Sequence, residues 1–130
     1  MSFIQGTSKF EFQSSLQLTE FVDQLLEPLQ QRRNFYILKL GLHEALVNAV
    51  KHGNKLDPHK RIKVKRIITP NWCVWQIQDQ GKGVEPKKRM FHLPKKVDSI
   101  NGRGLYIIHE CFDDVRWSPK GNRLQLALKR

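Results

Sequence analysis

Phe10 and Phe12 alternate with polar residues, so Ser8 to Gln13 reads as a half-buried strand. Leu16, Leu18, Phe21, Val22, Leu25, Leu26 and Leu29 then recur mostly at helical spacing. They predict a helix from Leu16 to Gln30, capped by Ser14 or Ser15. After a polar break at Arg32 to Asn34, a longer helix should run from Phe35 to His52 and end in a left-handed cap at Gly53-Asn54. Its Leu38, Leu42, Ala45, Leu46 and Ala49 share one stripe that must face a core. Ile62, Val64 and Ile67 among basic residues predict a half-exposed strand. Pro70-Asn71 turns the chain into a second strand through Cys73, Val74, Trp75 and Ile77, which ends at Asp79. Gln80 to Gly102 breaks every pattern, and a loop of that length inside a compact domain is usually functional. Gly104 to Cys111 reads as a short helix, and Val115 to Ser118 with Arg123 to Lys129 as a closing hairpin. This order predicts an α/β two-layer sandwich: a mixed, mostly antiparallel sheet with its helices on one face.

The 130 residues suffice for one core, so residues 1–130 are read as a single domain. The proportions of 39% hydrophobic and 27% charged residues exclude a disordered chain. No apolar run reaches the roughly 20 residues that span a bilayer, and Met1 to Phe10 lacks a signal-peptide pattern. Cys73 and Cys111 have no metal-ligand spacing and read as reduced structural thiols, so a cytoplasmic location is expected, with no membrane partner. The net charge of +11 suits a nucleotide, a nucleic acid or an acidic protein. Lys55 to Arg66 and Lys82 to Lys96 each carry six basic residues against one acidic residue. A solvated basic surface explains both equally well.

Three patterns carry chemistry. Glu44, Asn48 and His52 follow at i, i+4 and i+8, on a line adjoining the apolar stripe of the long helix. A carboxylate and a carboxamide one turn apart suit Mg²⁺, which prefers hard oxygen ligands, and a carboxylate there can accept a proton. Asp79-Gln80-Gly81-Lys82-Gly83 follows a strand, where glycines let the backbone turn and let a ligand approach. Its carboxylate can accept a hydrogen bond from an exocyclic amine such as that of adenine. Asn101-Gly102-Arg103-Gly104-Leu105 precedes a helix, whose free N–H groups suit phosphate. Each pattern alone is weak, and neither common phosphate-loop signature is present.

Together and in this order, the three patterns resemble the GHKL (Bergerat-fold) ATPase superfamily. Glu44-Ala45-Leu46-Val47-Asn48-Ala49-Val50-Lys51-His52-Gly53 is most similar to the anti-sigma-factor serine/threonine kinases of bacteria. Phe112-Asp113-Asp114-Val115 and Gly121-Asn122-Arg123-Leu124 are similar to that family's closing hairpin. The resemblance implies ATP and Mg²⁺ as cofactors, with Glu44 as general base and Asn48 as the Mg²⁺ ligand. Asp79 would bind the adenine amino group, while Gly81 and Gly83 let the base approach. Gly102, Arg103, Gly104 and Leu105 would form the phosphate-side turn, with the segment between as a lid. His52 and Gly53 match the end of the helix motif, and His52 is a candidate nucleotide contact. Asn122, another candidate contact, stands where the family usually has Thr, and the basic balance is also a departure.

The resemblance further implies a kinase that sequesters a sigma factor, phosphorylates an antagonist protein and forms a homodimer. A nucleotide-gated binding module without kinase activity would use the same residues. A nucleic-acid-binding protein is the third reading, motivated by the +11 charge and by Trp72, Trp75 and Trp117. No nucleic-acid-binding motif accompanies those residues, so nucleic acid is not the expected partner.

Overall fold

The computed structural model describes residues 5–86 and 100–130, with the backbone alone for 100–103. The lid positions Lys87, Lys88, Arg89, Lys95 and Lys96 lie outside the described residues. The order of elements is β1 (Gly6–Gln13), α1 (Thr19–Leu25), α2 (Phe35–Asn48), β2 (Arg61–Ile68), β3 (Trp72–Gln78), α3 (Ile100–Cys111), β4 (Asp114–Trp117) and β5 (Arg123–Lys129). Among the described residues the strands form one sheet in the order β1-β2-β3-β5-β4. All four pairings are antiparallel, so no parallel pair of the expected mixed sheet occurs among them.

Alternation gives the sheet two unlike faces. Phe12, Ile62, Val64, Ile68, Cys73, Trp75, Ile77, Leu124, Leu126 and Leu128 are buried on the inner face, beneath the helices. Leu38, Leu42, Ala45, Leu46 and Ala49 of the second helical region are buried too, as the apolar stripe requires. Side chains two apart share a strand face, so Ile67, expected beside Ile62 and Val64, lies on the outer face. Arg66 takes the inner position instead. It stacks on Phe10 at 5.1 Å and donates to the Gln24 and Leu25 carbonyls at the end of α1. Trp75, wholly buried, also donates from Nε1 to the Leu25 carbonyl at 2.9 Å. It is therefore a core residue and offers no stacking surface to a base.

Four boundaries differ from expectation. Pro28 has no N–H to continue a helix, so α1 stops at Leu25 and a 3₁₀ turn, Glu27–Leu29, follows. Neither Ser14 nor Ser15 caps α1: Leu18 holds that position without a side-chain cap. The Ser14 hydroxyl accepts from Asn54, and that of Ser15 accepts from the Gln17 N–H. Beyond Asn48 the long helix widens into a π turn, Ala49–Gly53, closed by Asn54 N–H on the Ala49 carbonyl at 2.8 Å. Asn54 is right-handed with φ −83°, and the left-handed positions fall at Lys55 and Leu56. Finally, α3 begins at Ile100, so Gly102, Arg103 and Gly104 lie within its first turns rather than in a turn before it.

Close packing of α2 on α3 depends on Gly41. A Cβ there would stand 2.6 Å from Cys111 Cβ and 3.0 Å from the Phe112 ring. Both cysteines are free and buried, and burial pushes the Cys73 thiol up to about 11. No helix among the described residues is long and apolar enough to cross a membrane.

Candidate functional site

The second helical region positions the site from its middle to its C-terminal end. Glu44 and Asn48 are half-buried at the rim of the core, as the sequence line predicts. Glu44 faces α3 closely enough that a Cβ added to Gly104 would lie 3.3 Å from its Oε2. The middle of α2 and the first turns of α3 thus form one wall. Leu105 is half-buried against the core beneath it. The backbone of Gly102 and Arg103 belongs to those same turns. His52 lies on the π turn and is exposed. Burial, then Lys51 and Lys55, lower its pKa, which favours the neutral imidazole.

At the far end, the π turn meets Asp79. A Cβ at Gly53 would fall 2.2 Å from Asp79 Oδ2, and a Cβ at Gly81 would fall 2.1 Å from the Gly53 carbonyl oxygen. Only glycines permit this approach, which packs the Gly53 main chain against Oδ2, while Asp79 lines a cavity of about 340 Å³ with Gly81 and Asn122. The other, Oδ1, accepts from the Gly81 N–H at 2.7 Å. Asp79 itself is buried. Burial raises its pKa, partly opposed by the Gly81 N–H and by Lys60 and Lys120. Gly83, with φ +96°, brings the chain against the hairpin turn, where Val84 N–H donates to the Gly121 carbonyl at 2.9 Å. Asn122 joins the cluster through its main chain: its carbonyl accepts from Asp79 N–H at 3.0 Å. Its side-chain oxygen accepts instead from the Ser118 hydroxyl at 3.5 Å. An Asn in place of Thr therefore leaves the contact to Asp79 intact.

Asp79, Gly81, Gly83, Gly53 and Asn122 thus converge at the C-terminal end of the helical region, and Glu44 with Gly104 at its middle. From Glu44 to Gly53 is nine residues, roughly 13 Å at 1.5 Å each. A buried carboxylate with one occupied oxygen and a glycine-lined approach fits an adenine amine. An exposed rim of carboxylate and carboxamide beside a helix N-terminus fits phosphates and Mg²⁺. Among the described residues no group of His, Cys, Asp and Glu could hold a metal by itself.

Sequence reasoning passed over Asn54 as a cap. It is wholly buried and ties three elements together. Its Nδ2 donates to Ser14 Oγ and to the Arg61 carbonyl, both at 3.2 Å, and its Oδ1 accepts from Gln80 N–H at 2.7 Å. Gln80 completes the tie, its Oε1 accepting from Arg61 N–H at 2.7 Å. Asn54 thereby fixes the turn that presents Asp79. The signal was an Asn directly after the motif helix, a residue type that is rarely buried without several partners.

The histidine kinase-like ATPase domain family matches residues 19–128 of the chain. A serine-protein kinase RsbW from Listeria monocytogenes serotype 4a (strain HCC23) is 29% identical over 86 residues, covering 61% of this chain and 55% of that protein. An anti-sigma F factor from Anoxybacillus flavithermus (strain DSM 21510 / WK1) is 28% identical over 89 residues, covering 65% of this chain and 60% of that protein. The chain thus spans little more than half the length of these relatives. With a match over most of its length, and with both ends of the site formed by the residues of the three motifs, the chain belongs to the histidine kinase-like ATPase domain family.

Proposed function

We propose that the chain is an ATP-binding serine/threonine protein kinase of the anti-sigma-factor type, which holds a sigma factor and phosphorylates its antagonist. One observation carries the reading: a single helical region has a recessed carboxylate at its C-terminal end and Glu44 against the N-terminal turns of α3 at its middle. A nucleotide lying along it would have its base at Asp79 and its phosphates at Glu44. The names of the two relatives support the kinase and anti-sigma parts of the proposal.

Bound Mg·ATP supplies an electrophilic phosphoryl group. Asp79 accepts a hydrogen bond from the adenine amine where it lines its cavity, which selects adenine over guanine. Asn48 offers a neutral oxygen to Mg²⁺. The N-terminal N–H groups of α3 favour the phosphates. Glu44 accepts the proton of the attacking Ser or Thr hydroxyl, a demand on position more than on covalent chemistry. A homodimer and a cytoplasmic setting belong to the same proposal, through the resemblance.

Calorimetric titration with ATP, with and without Mg²⁺, tests it. Metal-dependent binding that Asn48→Ala reduces at least tenfold, about 1.4 kcal/mol, is expected. Absence of binding in both conditions would refute the nucleotide reading.

A further inference from the structure

The outer face of the sheet meets the site described above at one edge, where Arg61, Lys63 and Gln78 line the same cavity of about 340 Å³ as Asp79, Gly81 and Asn122, and it is unlike an ordinary solvated surface. Cross-strand register places Lys9 opposite Lys65, and Glu11 opposite Lys63, which continues through Gln78 to Arg123. A like pair directly opposite is unfavourable in a sheet. Nothing on this face offsets it, because its two carboxylates are taken: Glu11 pairs with Arg61 at 3.2 Å and Asp114 with Arg116 at 2.8 Å. The side chains of Lys9, Lys63, Lys65 and Arg123 make no ion pair with the described residues. These cations border a shallow depression of about 510 Å³, floored by Gln76 and Gln78. The next row of the face is apolar, with Ile67 opposite Val74 and Val74 opposite Ala127.

We propose that this outer sheet face docks an acidic protein segment whose glutamates or aspartates meet Lys9, Lys63, Lys65 and Arg123 and whose apolar side chains meet Ile67 and Val74. A second copy of the same face would set cation against cation, so a face-to-face dimer is not the occupant. A nucleic-acid strand has phosphates for the basic rows but no partner for the apolar row. Among the described residues the aromatic ring on this face is Trp72, which lies beyond the apolar row under Lys129 at 5.9 Å and not beside Lys9, Lys63 and Lys65. Charge complementarity steers such an encounter and makes it sensitive to salt.

The test measures fluorescence anisotropy of a labelled synthetic peptide, a glutamate run joined to a valine–threonine segment, titrated with the full chain. Oligo-dT of matched charge is titrated in parallel. The peptide should bind with an affinity that falls as salt rises. Lys9→Gln/Lys65→Gln should weaken it at least about tenfold. Arg33→Gln/Lys39→Gln removes equal charge at the N-terminal side of α2 and should weaken it less than about twofold. Equal losses in both double variants would mean diffuse attraction and overturn the proposal. Tighter binding of oligo-dT than of peptide, lost in the Lys9/Lys65 variant, would make nucleic acid the occupant and also overturn it. Melting and ATP titration of each variant show that the fold and the nucleotide site are intact. Failure of ATP to bind would leave this proposal standing and defeat only the kinase reading.

Discussion

Asn54→Ala isolates the tie that holds the Asp79 turn. The side chain is wholly buried and makes three hydrogen bonds, to Ser14, Arg61 and Gln80. At about 1 kcal/mol net each, their loss costs about 3 kcal/mol. The buried Ser14 hydroxyl loses a partner as well, which places the estimate toward the upper end of typical single substitutions. For a domain of this size about 3 kcal/mol lowers Tm by roughly 10 °C. With a urea m-value of about 2 kcal/mol/M, the midpoint moves by roughly 1.5 M. Asn54→Asp keeps the oxygen that accepts from Gln80 but loses both donations and adds a charge beside buried Asp79. It should therefore destabilise at least as much as Ala. Circular dichroism during thermal and urea unfolding reads both variants, and ATP titration reads whether loosening the turn weakens the site. A loss below about 1 kcal/mol for Asn54→Ala, or an Asp variant milder than Ala, would refute the idea that these bonds anchor the turn.

Other outcomes follow from the same geometry. Glu44→Ala should spare ATP binding and lower phosphoryl transfer to a Ser/Thr substrate by about 10²-fold or more; unchanged transfer would remove Glu44 as the base. Burial raises the Asp79 pKa, so the stability this group contributes is present in acid and lost as pH rises through its folded value. Asp79→Asn should accordingly melt higher than wild type at pH 7, with the gap closing in acid, while its ATP affinity falls. An unchanged melting temperature at pH 7 would count against that cause of the shift. Gly41→Ala drives a methyl into Cys111 and should cost about 1–3 kcal/mol by urea unfolding. Because Gly41 sets the spacing of α2 from α3, it should also weaken nucleotide binding, and a variant with wild-type affinity would show that this spacing is not critical.

The strands and the second helix were legible because burial writes itself into the period of the sequence: Ile62 and Val64, or Leu38, Leu42 and Ala45, could hardly read otherwise. The misses came where tertiary contacts decide. Glycines 102 and 104 argued for a loop, since glycine weakens a helix, yet α3 runs through them, and at Gly104 a side chain would crowd Glu44. The π turn left no local mark, because its extra residue is accommodated by Asn54 and the left-handed Lys55 and Leu56. Asn54 itself was illegible as an anchor: its partners lie 40, 7 and 26 residues away along the chain.

The basic run from Lys55 to Arg66 shows why charge was the hardest feature to read. Within β2, neighbouring side chains point to opposite faces, so one run of like residues is divided among different tasks. Arg66 turns inward and closes the end of α1. Arg61 pairs with Glu11 across the strands while its N–H holds Gln80. Lys63 and Lys65 face outward with no compensating carboxylate of their own. The sequence total of +11 therefore overstates what is available to a partner. What bears on binding is the subset that register gathers onto one face and leaves unpaired, and that subset adjoins Ile67 and Val74 on one side and, through Lys63, the Asp79 cavity on the other.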